Sequence, residues 1–177
     1  MRIAITGTPG VGKTTVTKKL ESKYKVFHLN EMVDEKDLSK GFDEKRDANI
    51  VNIGKLEKVL PRKGILESHF SHQLSVDRII ILRCNPSELG RRLRHRYEGS
   101  DIGAEELEKK VFENMEAEAL DVILIESLQS VEREKVDEID TTDVDPEKVA
   151  RMIEMAIEGE KRFEPGKIDW SSWIEEV

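Results

Sequence analysis

A short run near the amino terminus carries the residues best able to do chemistry. Gly7 is followed, after four residues, by Gly12-Lys13-Thr14, and Thr15 comes next. Glycines allow backbone N–H groups to close around phosphate oxygens without Cβ clashes. In such a loop Gly10, Val11, Gly12, Lys13, Thr14 and Thr15 would hold a polyphosphate. Lys13 is the type of residue that reaches the β- and γ-phosphates, and the Thr14 hydroxyl can hold Mg²⁺. The chemistry expected is binding of a nucleoside triphosphate, ATP foremost, with Mg²⁺. Three further residues could join it. Glu67 closes a short apolar run and is a candidate to orient the metal. His69 follows two residues later and could position an attacking water or simply be a loop histidine. Arg96 ends a row of arginines just before a Gly-bounded break, where a cation could neutralise transferred phosphate.

These residues need elements to hold them. Arg2-Ile-Ala-Ile-Thr6 reads as a buried strand before the loop, and a helix runs from Lys13 to about Lys23 with Val16 and Leu20 inward. The strand–loop–helix context separates a phosphate loop from an ordinary glycine-rich turn. Strands are expected at Val26–Leu29, Gly64–Glu67, Val76–Cys84 and Lys135–Asp140. In the third, four consecutive apolar residues, Ile79 to Leu82, imply cover on both faces, as in a parallel sheet. Helices are expected over Ile53–Leu60 and from Asn85-Pro86, where Asn caps and Pro takes the first helical position. A long one follows from Ala104 to about Ser127, and a last one from Asp145-Pro146. The order predicts an α/β doubly wound parallel five-stranded sheet with helices on both faces. Residues 1–162 form the expected domain, with an insert over about 30–53, a hinged lid over about 97–103 and a tail over 163–177. In the tail, Trp170 and Trp173 either dock a partner or, more in keeping with such residues, fold back onto the core.

Composition narrows the class. No stretch approaches the ~20 apolar residues of a membrane span, and no leader-like segment precedes the first strand. One cysteine, Cys84, excludes an internal disulfide and suits a reducing cytoplasm. Residues 1–96 carry a net +8 and residues 97–177 a net −16. The basic half suits a polyanionic nucleotide. The acidic half argues against broad direct contact with nucleic acid, and fits either a basic protein partner or a charge-rich solvated surface.

With the phosphate loop GTPGVGKTT, Gly41-Phe42-Asp43-Glu44, Glu67-Ser68-His69, the arginine helix Leu89–Tyr97 and Glu113-Asn114 with Glu116 and Glu118 in place, the chain resembles the adenylate kinase superfamily. It is most similar to the branch of adenylate kinase isoenzyme 6, an archaeal and eukaryotic ribosome-assembly ATPase. The resemblance covers about residues 1–160. It implies a broad-specificity nucleoside monophosphate kinase moving the γ-phosphoryl of ATP to AMP or a related acceptor, with ATPase activity. It also implies a role in late small-subunit and 16S rRNA maturation, with transient binding of ribosomal protein uS11. Residues 30–53 would be the acceptor region, Arg96 the lid arginine, and Glu67 with His69 the second nucleotide motif. There are departures. Glu67 stands where the branch often has Asp, a reach longer by about one C–C bond, ~1.5 Å. Asp34 stands near the usual acceptor arginine, with Lys36 or Arg46 as substitutes, and residues 103–131 contain no arginine. An ATP-gated assembly factor with little kinase activity is therefore a second expectation, and a shikimate- or cytidylate-type kinase a third.

Overall fold

The computed structural model describes residues 1–43 and 48–175. A sheet of five parallel strands lies at its centre: β1 (Arg2–Thr6), β2 (Val26–His28), β5 (Gly64–Glu67), β6 (Arg78–Arg83) and β7 (Val136–Asp140), in the order β2-β5-β1-β6-β7. The winding direction reverses at β1, so the crevice that such sheets offer to ligands opens at its carboxyl end. Helices α1 (Lys13–Leu20), α4 (Pro86–Arg96), α5 (Ala104–Ala119) and α7 (Pro146–Glu158) share a core with one sheet face, and α6 (Val122–Ser130) packs on the other. Strand alternation divides the apolar residues. Ile3, Ile5, Ile80 and Leu82 enter the first core, while Ala4, Ile79 and Ile81 meet Leu124 and Val136 in the other. Ile79 to Leu82 have no exposed surface, and each such side chain contributes roughly 2 kcal/mol by leaving water.

Cap chemistry sets several helix starts. Asn85 Oδ1 accepts the Ser87 and Glu88 N–H groups, with Pro86 at the first position. Asp145 Oδ1 accepts the Glu147 N–H, and Gly159 closes the same helix in left-handed geometry (φ 75°).

Four expectations need correction. The first helix stops at Leu20, because the Lys23 and Tyr24 N–H groups both bond to the Leu20 carbonyl and tighten the chain into a turn. Leu29 leaves β2 and opens α2 (Leu29–Glu35), whose Leu29 and Val33 build a second core with Leu56, Leu66 and Phe70. The insert continues as an antiparallel hairpin, β3 (Ser39–Asp43) and β4 (Ala48–Val51), before α3 (Ile53–Val59). Glu44 and Arg46 lie outside the described residues. The helix expected over 104–127 breaks at Asp121, which takes φ 56° and splits it into α5 and α6. The apolar spacing Leu107, Val111, Met115, Ala119 runs up to the break without a signal, and at the break Asp121 pairs with Arg83, 38 residues away.

The last residues fold back. Phe163 lies beside the free edge of β7, taking the Glu138 N–H on its carbonyl and giving its own N–H to Asp137 Oδ1. A short helix, α8 (Ser171–Glu175), then packs Trp173 on Phe112 of α5, with ring centroids 6.0 Å apart. No helix among the described residues is long and apolar enough to cross a membrane.

Candidate active site

The loop between β1 and α1 wraps Lys13. Its Nζ donates to the carbonyls of Gly7 at 2.7 Å and Thr8 at 3.1 Å and is buried. Burial pulls the Lys13 ammonium down to about 8, against the pull of Glu67 and Glu118 and with help from the Arg96 charge. It remains a cation at pH 7. Gly12 takes φ 100° at the head of α1, a geometry open to glycine, and the space on its Cβ side is empty. Val11 contributes backbone only. Its side chain is buried, and its carbonyl accepts the Thr141 hydroxyl at 2.8 Å. Gly10, Gly12 and Thr15 border a cleft of about 340 Å³ with Arg92, Thr141 and Pro146.

Thr14 and Glu67 meet across the crevice. The Thr14 hydroxyl lies 3.4 and 3.5 Å from the two Glu67 oxygens, so a hydroxyl and a carboxylate converge beside the lysine. Mg²⁺ prefers a few hard protein oxygens alongside phosphate and water, and this pair fits that need. Among the described residues no group of three or more His, Cys, Asp or Glu could hold a metal by itself, so a cation here relies on the nucleotide for part of its shell.

One member of the site was missed from sequence. His28 ends β2 directly beside Glu67, its register partner at the end of β5. Its Nδ1 is 2.7 Å from Glu67 Oε2 and its Nε2 is 3.0 Å from Glu21 Oε1. A neutral ring could donate to only one carboxylate, so the geometry calls for the imidazolium. Burial opposes that charge, yet the bonds to Glu67 and Glu21 outweigh it and raise the pKa. The signal available in the sequence was a polar residue at the carboxyl end of a second strand.

His69 lies apart from that cluster, on the wall of a larger cleft of about 1310 Å³ that also takes in Thr8, Pro9, Ile53, Glu113 and Asn114. Partial withdrawal of the ring from water, with the nearby Lys13 charge, lowers the His69 pKa to about 4 and keeps it neutral at pH 7. Its imidazole packs edge-on against Phe70. His72 is a different case: it is buried, with Nδ1 2.9 Å from the Thr6 hydroxyl and Nε2 2.7 Å from Glu126.

The arginines of α4 sort themselves by partner. Arg91 and Arg92 pair with Glu88, and Arg92 also bonds the Thr141 and Thr142 carbonyls. Arg94 pairs with Glu108. Arg96 is exposed, has no partner among the described residues, and is near enough to lower the Lys13 pKa. Cys84 is buried, and burial pushes its thiol up to about 12, which leaves it unreactive.

Comparison with known proteins follows the same lines. A family model described as an AAA domain matches residues 3–121. A protein of Natronomonas pharaonis named "Putative adenylate kinase" is 42% identical over 176 residues, covering 98% of this chain and 100% of its own. A Methanosarcina barkeri protein of the same name is 43% identical over 188 residues, covering 96% and 97%. Among solved structures, a sulfotransferase from Alicyclobacillus acidocaldarius superposes with TM-score 0.57 at 16% identity, over 98% of this chain and 88% of that one. A shikimate kinase from Bacteroides thetaiotaomicron superposes with TM-score 0.51 at 16% identity, over 89% and 98%. At that identity the two structures speak for the fold alone. With its phosphate loop, parallel sheet and full-length relatives, this chain belongs to the adenylate kinase-like family of AAA-domain proteins.

Proposed function

We propose that the protein is a nucleoside monophosphate kinase that transfers the γ-phosphoryl group of ATP to AMP or a related acceptor, with ATP hydrolysis as a side reaction. The observation that carries this reading is the convergence of Lys13, Thr14 and Glu67 at the carboxyl end of β1 and β5, beside a cleft large enough for a second nucleotide. The naming of the full-length relatives supports the same class. Mg²⁺, when bound, neutralises charge on the phosphates that part. Thr14 and Glu67 would hold it, with His28 fixing the Glu67 carboxylate. Lys13 stabilises negative charge at the transferred group from inside the loop. Arg96, free of any carboxylate partner among the described residues, supplies a second cation from the end of α4. His69, neutral and open to the cleft, accepts a hydrogen bond or proton from water when no acceptor is present. In the kinase reaction the acceptor phosphate oxygen forms the new bond to the γ-phosphorus as the bond from that phosphorus to ADP breaks.

The test is ADP formation from MgATP, measured with and without AMP, CMP and dAMP. Strong stimulation by one of them is expected. Lys13→Ala should lower that rate by about 10²-fold or more, the size of loss seen when one charge-stabilising donor is removed. A rate indifferent to every monophosphate would overturn the kinase reading. A second reading then stands: an ATP-gated factor of late small-subunit and 16S rRNA maturation that binds ribosomal protein uS11. Glu105, Glu106, Glu113, Glu116 and Glu126 around the larger cleft favour it, because they would attract a basic partner. Salt-sensitive binding of uS11 without monophosphate stimulation selects it.

A further inference from the structure

Outside the phosphate site, the buried charges gather around Arg83 at the end of β6. Its Nε donates to Glu118 Oε1 at 2.6 Å, its Nη2 to Asp121 Oδ1 at 2.5 Å and to the Glu118 carbonyl at 2.9 Å, and its Nη1 to Glu138. Glu118 divides its two oxygens. Oε1 serves Arg83 and the Cys84 N–H, while Oε2 takes the Thr8 hydroxyl at 2.5 Å. Thr8 belongs to the phosphate loop, and its carbonyl is one of the two that hold Lys13. Thr8, Arg83 and Glu118 are each 3% exposed or less, so water cannot replace a bond that opens. Glu118 lies in the last turn of α5, the helix whose Lys109, Glu113 and Ala117 face the larger cleft, and the elbow at Asp121 follows at once.

We propose that Glu118 is a positioning residue that ties the phosphate loop to the α5–α6 elbow, so that phosphate binding in the loop sets the acceptor wall. The physical basis is the stiffness of the link. A hydroxyl bonded to a buried carboxylate is a charge-assisted contact, and the carboxylate is clamped by a guanidinium that reaches the elbow as well. A loop that shifts by a fraction of an ångström must either break that bond or carry the end of α5 with it. The left-handed Asp121 is where α5 turns into α6, so a shift at the end of α5 is passed on at that elbow. Coupling through such a contiguous network has a thermodynamic size, and a link of this kind belongs at or above its lower bound of about fivefold. The inference rests on the loop being the triphosphate site.

Amide hydrogen exchange with and without the magnesium complex of AMPPNP separates the two. In the wild-type chain the ligand should slow exchange in residues 7–15 and, by about fivefold or more, in residues 111–125. Thr8→Val keeps the shape of the side chain and leaves Glu118 Oε1 bonded to Arg83 and the Cys84 N–H, while Oε2 alone loses its partner. In that variant protection of 7–15 should persist while protection of 111–125 falls away, and Thr8→Ser should restore it. Protection of 111–125 that survives Thr8→Val, or that is missing in the wild type while 7–15 is protected, overturns the link. No protection of 7–15 in the wild type overturns the phosphate-site reading instead.

Discussion

Single residues in this protein owe their protonation to their neighbours. His28 and His72 each touch a glutamate, yet they move in opposite directions. His28 meets a carboxylate at both nitrogens and gains a proton more readily. His72 meets one carboxylate and one hydroxyl, and burial lowers its pKa despite Glu126. A neutral ring fits these contacts with Nε2–H donating to Glu126 and Nδ1 facing the Thr6 hydroxyl, whose proton is shared between Nδ1 and the His69 carbonyl. The consequence for stability has a definite sign. Below about 6.5 the unfolded chain takes up a proton on His72 that the folded chain refuses, so acidification through that range favours unfolding. His28, with its raised pKa, acts in the opposite sense. The urea midpoint of the wild type should drop between pH 7.5 and 5.5, and His72→Gln should remove part of that drop. An unchanged pH dependence in His72→Gln would show that His72 does not titrate between those values.

At the level of elements, the phosphate loop is shaped by what lies under it. Gly7 takes φ 143°, and a Cβ there would sit 2.3 Å from the Leu82 carbonyl oxygen of β6. A side chain would force the loop off the strand that supports it. Gly7→Ala should therefore cost roughly 3 kcal/mol or more, combining backbone strain with a clash against main chain that cannot yield. A thermal midpoint within a degree or two of wild type would contradict this. The strand–loop–helix unit is legible in the sequence, because its residues are contiguous and their spacing is tied to one conformation. The carboxylate Glu67 is legible too, as the polar end of an apolar strand. His28 and Arg83 are not, and Glu118, although part of the motif that carries the resemblance, gives no sign of its partners. Thr8 and Glu118 are 110 residues apart, and no local pattern links them.

Across the whole molecule, the terminal segment closes what the sheet leaves open. β7 is an edge strand, and exposed edges invite pairing with another chain. Phe163 takes up the Glu138 N–H, Gly166 donates to Glu138 Oε2 at 2.7 Å, and Trp173 packs against one side of Phe112. Removing residues 161–177 should lower the thermal midpoint and cause association that grows with protein concentration in size-exclusion runs. A truncated chain with the elution profile and thermal midpoint of the full chain would show that the edge needs no cover.

The order of elements, the parallel sheet and the phosphate loop all follow from spacing along the chain, since apolar period, caps and glycine geometry act over a few residues. The ion pair at the Asp121 elbow, the Thr141 and Thr142 carbonyls on Arg92 and the pairing of Arg94 with Glu108 come from contacts between segments apart in the chain. Residues of one type illustrate the divide. Arg92 and Arg96 share a helix face, and in the sequence only the Gly-bounded break after Arg96 sets it apart; the fold brings the Thr141 and Thr142 carbonyls to Arg92 and leaves Arg96 open. Burial and partner supply are properties of the packed molecule, and they alone separate a structural charge from one free to meet a phosphate.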